Sequence, residues 1–133
     1  MPDPFGRPVF VRMRRRCLAL PEVSEKLSWG HPNFRVSNRM FCVFEMIQKR
    51  PTVAFRLPRQ VCQDLVERGL ASVTPYGRGL WATVWVDGSM DWTLLDSLLH
   101  ASYREVAAKK LIGLLDAAAP RARKGSVRNR GTS

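Results

Sequence analysis

The chain has 133 residues, 45% of them hydrophobic, with four Trp, six Phe and a formal net charge of +11. That length suits one domain able to bury a core without disulfide or metal staples, and no apolar run approaches the roughly 20 residues of a membrane-spanning helix. The basic balance admits nucleic acid as a partner, but it is unevenly spread: residues 1–16 carry +4, residues 120–133 carry +5 and the middle only +2.

Residues 8–19 open the ordered pattern. Val9, Phe10, Met13, Cys17 and Leu18 recur at helical spacing with arginines on the other face. Pro8 suits a first helical turn, where its missing N–H is unneeded, and Pro21 lies beyond the end. Gly30-His31-Pro32 then reads as a stiff bend feeding a strand at Phe34-Arg35-Val36. Further strands are predicted over Met40–Ile47 and Thr52–Leu57, joined by Ser37-Asn38-Arg39 and by the basic turn Gln48-Lys49-Arg50-Pro51.

Pro58 starts a second helix that Gly69 stops. Two more strands, Ser72–Pro75 and Leu80–Val86, flank a basic, flexible loop, Tyr76-Gly77-Arg78-Gly79. A single long helix is predicted from about Asp91 to Ala118, with Trp92, Leu95, Leu99, Tyr103, Val106 and Lys110 tracing the stripe that covers the sheet, and with Lys109 and Lys110 toward its C-terminal end. The result is an α+β domain over residues 1–119, order α-β-β-β-α-β-β-α, with a five-stranded antiparallel sheet. Arg121, Arg123, Lys124, Arg128 and Arg130 lie in a tail, 120–133, too poor in apolar residues to offset its ordering entropy, and so predicted to be disordered.

Cys17, Cys42 and Cys62 form no CxxC pair and are expected to be reduced thiols, with no metal site and no cofactor. The start of the chain lacks a secretory apolar core, which predicts a cytoplasmic location.

The marks Leu20-Pro21-Glu22, Trp29-Gly30-His31-Pro32 with Phe34-Arg35-Val36, Met40-Phe41, Pro75-Tyr76, Trp81 through Val84, and Ser102-Tyr103 with Val106-Ala107 and Lys109 resemble the MmcQ/YjbR family over about Val9 to Lys110. The resemblance implies a two-layer α+β domain, described for the family as a double-wing DNA-binding fold and similar to secretion-chaperone folds. Two departures stand out: Arg39 replaces the family's more frequent lysine, and the segment 76–81 is shorter than usual.

Arg35, Arg39, Lys49, Arg50, Arg56 and Arg78 are the candidate nucleic-acid contacts, with Arg39, Lys49 and Arg50 at hairpin tips that suit double-stranded DNA backbone. Arg104 is a further basic residue of the folded part. The alternative is a ligand or partner pocket framed by Trp29, His31, Arg35 and Tyr103. An imidazole is the side chain type best suited to acid-base work near neutrality, yet no Ser-His-Asp or Cys-His set accompanies His31, so no catalytic residue is assigned. Trp81 and Trp85 share one strand face and read as packing, while Gly77-Arg78-Gly79 reads equally as a turn or a phosphate cradle.

Overall fold

The computed structural model describes residues 3–118, so the basic tail lies outside the described residues. The side chain of Asp3 accepts the Phe5 N–H at 2.9 Å and caps a 3-10 turn, Pro4–Gly6, that buries Phe5. Helix α1, Pro8–Leu18, follows with its proline in the first turn and buries Phe10, Met13 and Cys17. Leu18 falls off that stripe and is exposed.

Six strands, not five, form one antiparallel sheet: β1 Ser24–Ser28, β2 His31–Val36, β3 Arg39–Ile47, β4 Arg50–Arg56, β5 Ser72–Val73 and β6 Trp81–Trp85, in the spatial order β1-β2-β3-β4-β6-β5. The chain order becomes α-β-β-β-β-α-β-β-α-α, which corrects the sequence expectation. The added strand, β1, is an edge whose residues are exposed apart from the half-buried Ser28, so no apolar alternation marks it. It also changes the reading of the Trp29–Pro32 stretch. Trp29 and Gly30, at φ 55° and 79°, make the two-residue turn between β1 and β2, and Pro32 already pairs with Leu27 inside β2.

The same device recurs at Ser37-Asn38 between β2 and β3 and at Gln48-Lys49 between β3 and β4, all with positive φ. Positive φ at both central residues gives the turn a twist that matches the strands it joins. Pro32 and Pro51 both stand two places after a turn, opposite Leu27 and Met46. That is a non-hydrogen-bonded position of each hairpin, where the missing N–H takes no bond from the hairpin itself.

Alternation along the strands puts Phe34, Cys42, Phe44, Val53, Phe55, Ala82 and Val84 on one face, and all are buried there. Helix α1 covers that face through Phe10, whose ring stacks on Phe44 at 4.8 Å. Helix α3, Trp92–Val106, covers it through Tyr103, edge-on to Phe41 at 5.8 Å. Helix α2, Arg59–Glu67, lies beside β5 and β6 and ends just before Gly69 at φ +74°.

The long terminal helix is a second correction: Ala107 and Ala108 take ψ 148°, ending α3 and starting α4, Lys109–Ala117. No Gly or Pro breaks it. Instead the Ala108 N–H donates to Ser37 Oγ at 3.0 Å, an acceptor from the β2–β3 turn, while an Arg104–Asp116 ion pair spans the break. A tertiary cap thus competes successfully with the next intrahelical bond.

Candidate functional site

The register sorts the candidate residues by sheet end. The Trp29-Gly30 and Gln48-Lys49 turns share one end with Asp87, and the Ser37-Asn38 turn, Arg56 and the loop 76–80 share the other. The nine residues of β3 separate the two ends by roughly 30 Å. Lys49 and Arg50 therefore stand far from Arg39, Arg56 and Arg78, and Arg35, near the β2–β3 turn, belongs with the latter group.

Their partners divide the six further. Arg50 Nε donates to Asp87 Oδ2 at 2.6 Å, and its guanidinium lies over the Trp85 ring at 4.1 Å. This bond holds the Asp87 carboxyl below its ordinary range. Arg56 donates to the Leu57 carbonyl at 3.2 Å and to Glu105 Oε2 at 3.5 Å, and Arg35 Nε donates to Asn33 Oδ1 at 3.0 Å. Arg39, Lys49 and Arg78 are exposed and have no hydrogen bond or ion pair from their side chains among the described residues.

The sequence pattern places Lys109 and Lys110 toward the C-terminal end of one long helix. The break at Ala107-Ala108 places them at the start of α4, exposed beside the Ser37 turn and hence beside Arg39. Only the tertiary cap reveals this, and no local sequence signal does.

The four residues of the alternative pocket do not come together. Trp29 is 97% exposed at a hairpin tip, projected there by its left-handed turn. Half-buried His31 adjoins that tip, with Nδ1 enclosed and unbonded, whereas Arg35 lies four residues along β2 toward the opposite end. Tyr103 is wholly buried and donates its hydroxyl to the Pro21 carbonyl at 2.8 Å, so its side chain is used up in the core.

Trp81, Thr83 and Trp85 occupy the sheet face opposite the one that α1 and α3 cover, with Thr52 and Ala54 across from them and fully buried. Trp85 Nε1 donates to Ser72 Oγ at 2.8 Å, and the Tyr76 ring lies 6.0 Å from Trp81 while its hydroxyl donates to Glu45 Oε1 at 2.8 Å. Large side chains thus roof the small ones on this face. Burial, and then the bond to Glu45, push the Tyr76 phenol up from its ordinary value. The neutral phenol therefore contributes stability that is complete below about pH 10, the ordinary tyrosine value, and is lost as pH rises above it. Tyr76→Phe is expected to flatten the alkaline loss of stability seen in urea titrations above about pH 10; parallel curves for the two proteins would refute this.

The thiols of Cys17, Cys42 and Cys62 are free and buried, and the sulfurs of Cys17 and Cys42 lie 3.9 Å apart. Among the described residues no cluster of three or more His, Cys, Asp or Glu is placed to hold a metal, and no helix is long and apolar enough to cross a membrane. A cavity of about 410 Å³ opens between α2 and the β5–β6 edge, its walls including Arg59, Cys62, Val66, Glu67, Val73 and Trp81. The loop 77–79, expected to be flexible, is a 3-10 turn with three successive positive φ angles, and its Arg78 carbonyl accepts from Arg59 Nη1 at 2.5 Å.

Among solved structures the fold is similar to a Deinococcus radiodurans protein, DR2400, with a DUF419 domain, at TM-score 0.63 and 21% identity, covering 85% of this chain and 83% of that one. A Bacillus subtilis protein of the DUF1801 family follows at TM-score 0.55 and 20% identity, covering 79% and 83%, and a Pseudomonas syringae protein at 0.53 and 15%, covering 64% and 87%. At these identities the likeness concerns the fold alone. No curated protein matches the chain. The YjbR family model matches residues 18–105, from the end of α1 nearly to the end of α3, a span that takes in all six strands. The α+β sheet, its helical cover and this match agree: the chain belongs to the YjbR family.

Proposed function

We propose that this protein is a non-catalytic DNA-binding protein of low sequence selectivity, which holds phosphates with cations at its turns, in the manner of paired wings. One observation carries the reading: Arg39, Lys49 and Arg78 are exposed on turns without a carboxylate partner among the described residues, whereas Arg50 and Arg56 are paired within the fold. Phosphate contacts need cations whose charge is uncommitted. Lys109 and Lys110 join Arg39 and Arg78 on one sheet end, so that end is the principal backbone contact, and Lys49 beside the exposed Trp29 is a lesser one.

The test is duplex affinity measured across a salt series in the full chain. Each phosphate contact removed lowers the slope of log affinity against log salt by about 0.9. Replacing Arg39, Arg78 and Lys109 with Gln is expected to flatten the slope by roughly 2.7, against about 0.9 for Lys49→Gln. An unchanged slope in the triple variant would assign the binding to the flanking basic segments and overturn the reading. Because the flanks are identical in all three proteins, the difference between slopes reports the folded part alone.

A further inference from the structure

The cavity between α2 and the β5–β6 edge takes no part in the phosphate contacts, yet its walls are unusually specified. Its apolar lining is Cys62 and Val66 from α2, Val73 from β5 and Trp81 from β6. The two polar groups of interest sit at opposite ends of one helix: Arg59 begins α2 and Glu67 ends it, eight residues apart, or about 12 Å along the axis.

The Gly77-Arg78-Gly79 turn explains how the walls are set. A Cβ on Gly77 would lie 2.1 Å from Trp81 Cδ1, and one on Gly79 would lie 2.7 Å from Arg59 Nη1. Each glycine therefore makes room for one wall of the cavity, the indole in one case and the guanidinium in the other. Between them Arg78, at φ 55°, turns its carbonyl onto Arg59 Nη1 at 2.5 Å. A neutral carbonyl orients this guanidinium but leaves its charge unopposed, since Arg59 has no carboxylate partner among the described residues.

We infer that this cavity is a binding site for a small organic monocarboxylate with an apolar body, its carboxylate on Arg59 and its hydrocarbon against Val66, Val73 and Trp81. The volume of about 410 Å³ lies within the range of small-molecule sites, about 300–1,000 Å³, and such sites are mostly apolar with a few placed polar groups. A guanidinium with donors to spare suits a carboxylate through charge-assisted hydrogen bonds. Glu67 at the far end supplies the selectivity: a second carboxylate on the ligand would meet a like charge. The dipole of α2 acts in the same sense, favouring an anion at the Arg59 end and disfavouring one at the Glu67 end.

The test uses three probes of equal chain length, octanoate, suberate and octylammonium, titrated into the full chain by calorimetry at moderate salt. Octanoate is expected to saturate at one site, with suberate and octylammonium at least about tenfold weaker. Arg59→Met is expected to weaken octanoate by about 10- to 100-fold, as for loss of a charged hydrogen-bond pair. Glu67→Gln should raise suberate toward octanoate. Val73→Asp, at a position 73% exposed and so tolerant of change, should abolish octanoate binding while the circular dichroism stays native. Equal binding of octylammonium, unaltered octanoate binding in Arg59→Met or Val73→Asp, or no saturable octanoate site would each overturn the inference. Octanoate binding that disappears as protein concentration rises would assign the groove to a second copy of the chain and overturn it as well. None of these outcomes bears on the salt slope of DNA binding, so the two readings stand or fall apart.

Discussion

Phe44→Ala is expected to lower the free energy of unfolding by about 3–5 kcal/mol, the largest stability loss of any change considered. The ring is inaccessible to solvent and stands where three elements meet: 4.8 Å from Phe10 of α1, 5.0 Å from Phe34 of β2, and on β3 itself. The Arg14 guanidinium also lies 5.7 Å from its centre. Removing it deletes apolar contact on two sides at once and leaves a void that two strands and a helix cannot jointly close. Phe44→Leu, which keeps much of the volume, should lose less than half as much. Urea denaturation with unchanged slope against denaturant measures both. A loss below about 1 kcal/mol in Phe44→Ala would mean that α1 collapses onto the sheet, contrary to the rigid packing expected of such a core.

Gly77→Ala is expected to be the more informative of the larger effects, because it separates a backbone term from a steric one. The left-handed conformation alone costs an alanine about 1–2 kcal/mol, and here the new methyl would also stand 2.1 Å from an indole carbon. A ring wall cannot yield as a flexible side-chain end does, so Trp81 must move. Gly30→Ala supplies the control: it has a similar φ of +79° but nothing within 4 Å of the new Cβ. The stability difference between the two variants therefore isolates the Trp81 displacement, and near-ultraviolet circular dichroism should change only in Gly77→Ala. Equal losses and equal spectra in both would show that the indole is not seated against Gly77.

What the sequence made legible followed from local rules. The starts of α1 and α2 were marked by Pro8 and Pro58, the stop at Gly69 by a residue that adopts φ +74°, and β3, β4 and β6 by their dense apolar runs. What stayed hidden was decided by distant groups. β1 carries no apolar pattern because, at the sheet edge, neither of its faces is buried and all of its residues but Ser28 are exposed. The α3–α4 break depends on Ser37, 71 residues away. The candidate interface was legible as a set of cations but not as a surface, since whether an arginine is free depends on partners such as Asp87 for Arg50 and Glu105 for Arg56, 37 and 49 residues distant. Tyr103 was legible as buried from its helical stripe, and placing it also in a pocket with Trp29 conflicted with that reading.

The neighbouring thiols of Cys17 and Cys42 have a kinetic consequence. Their sulfurs are 3.9 Å apart, wider than the roughly 2.05 Å of a disulfide, and both side chains are sealed from solvent between α1 and β3. Burial also holds the Cys42 thiol well above its ordinary range, which keeps it from the thiolate form that oxidants attack. A dissolved oxidant can therefore reach the pair only in the instants when α1 lifts from the sheet. The rate at which an added oxidant couples the two thiols would thus count how often this part of the core opens.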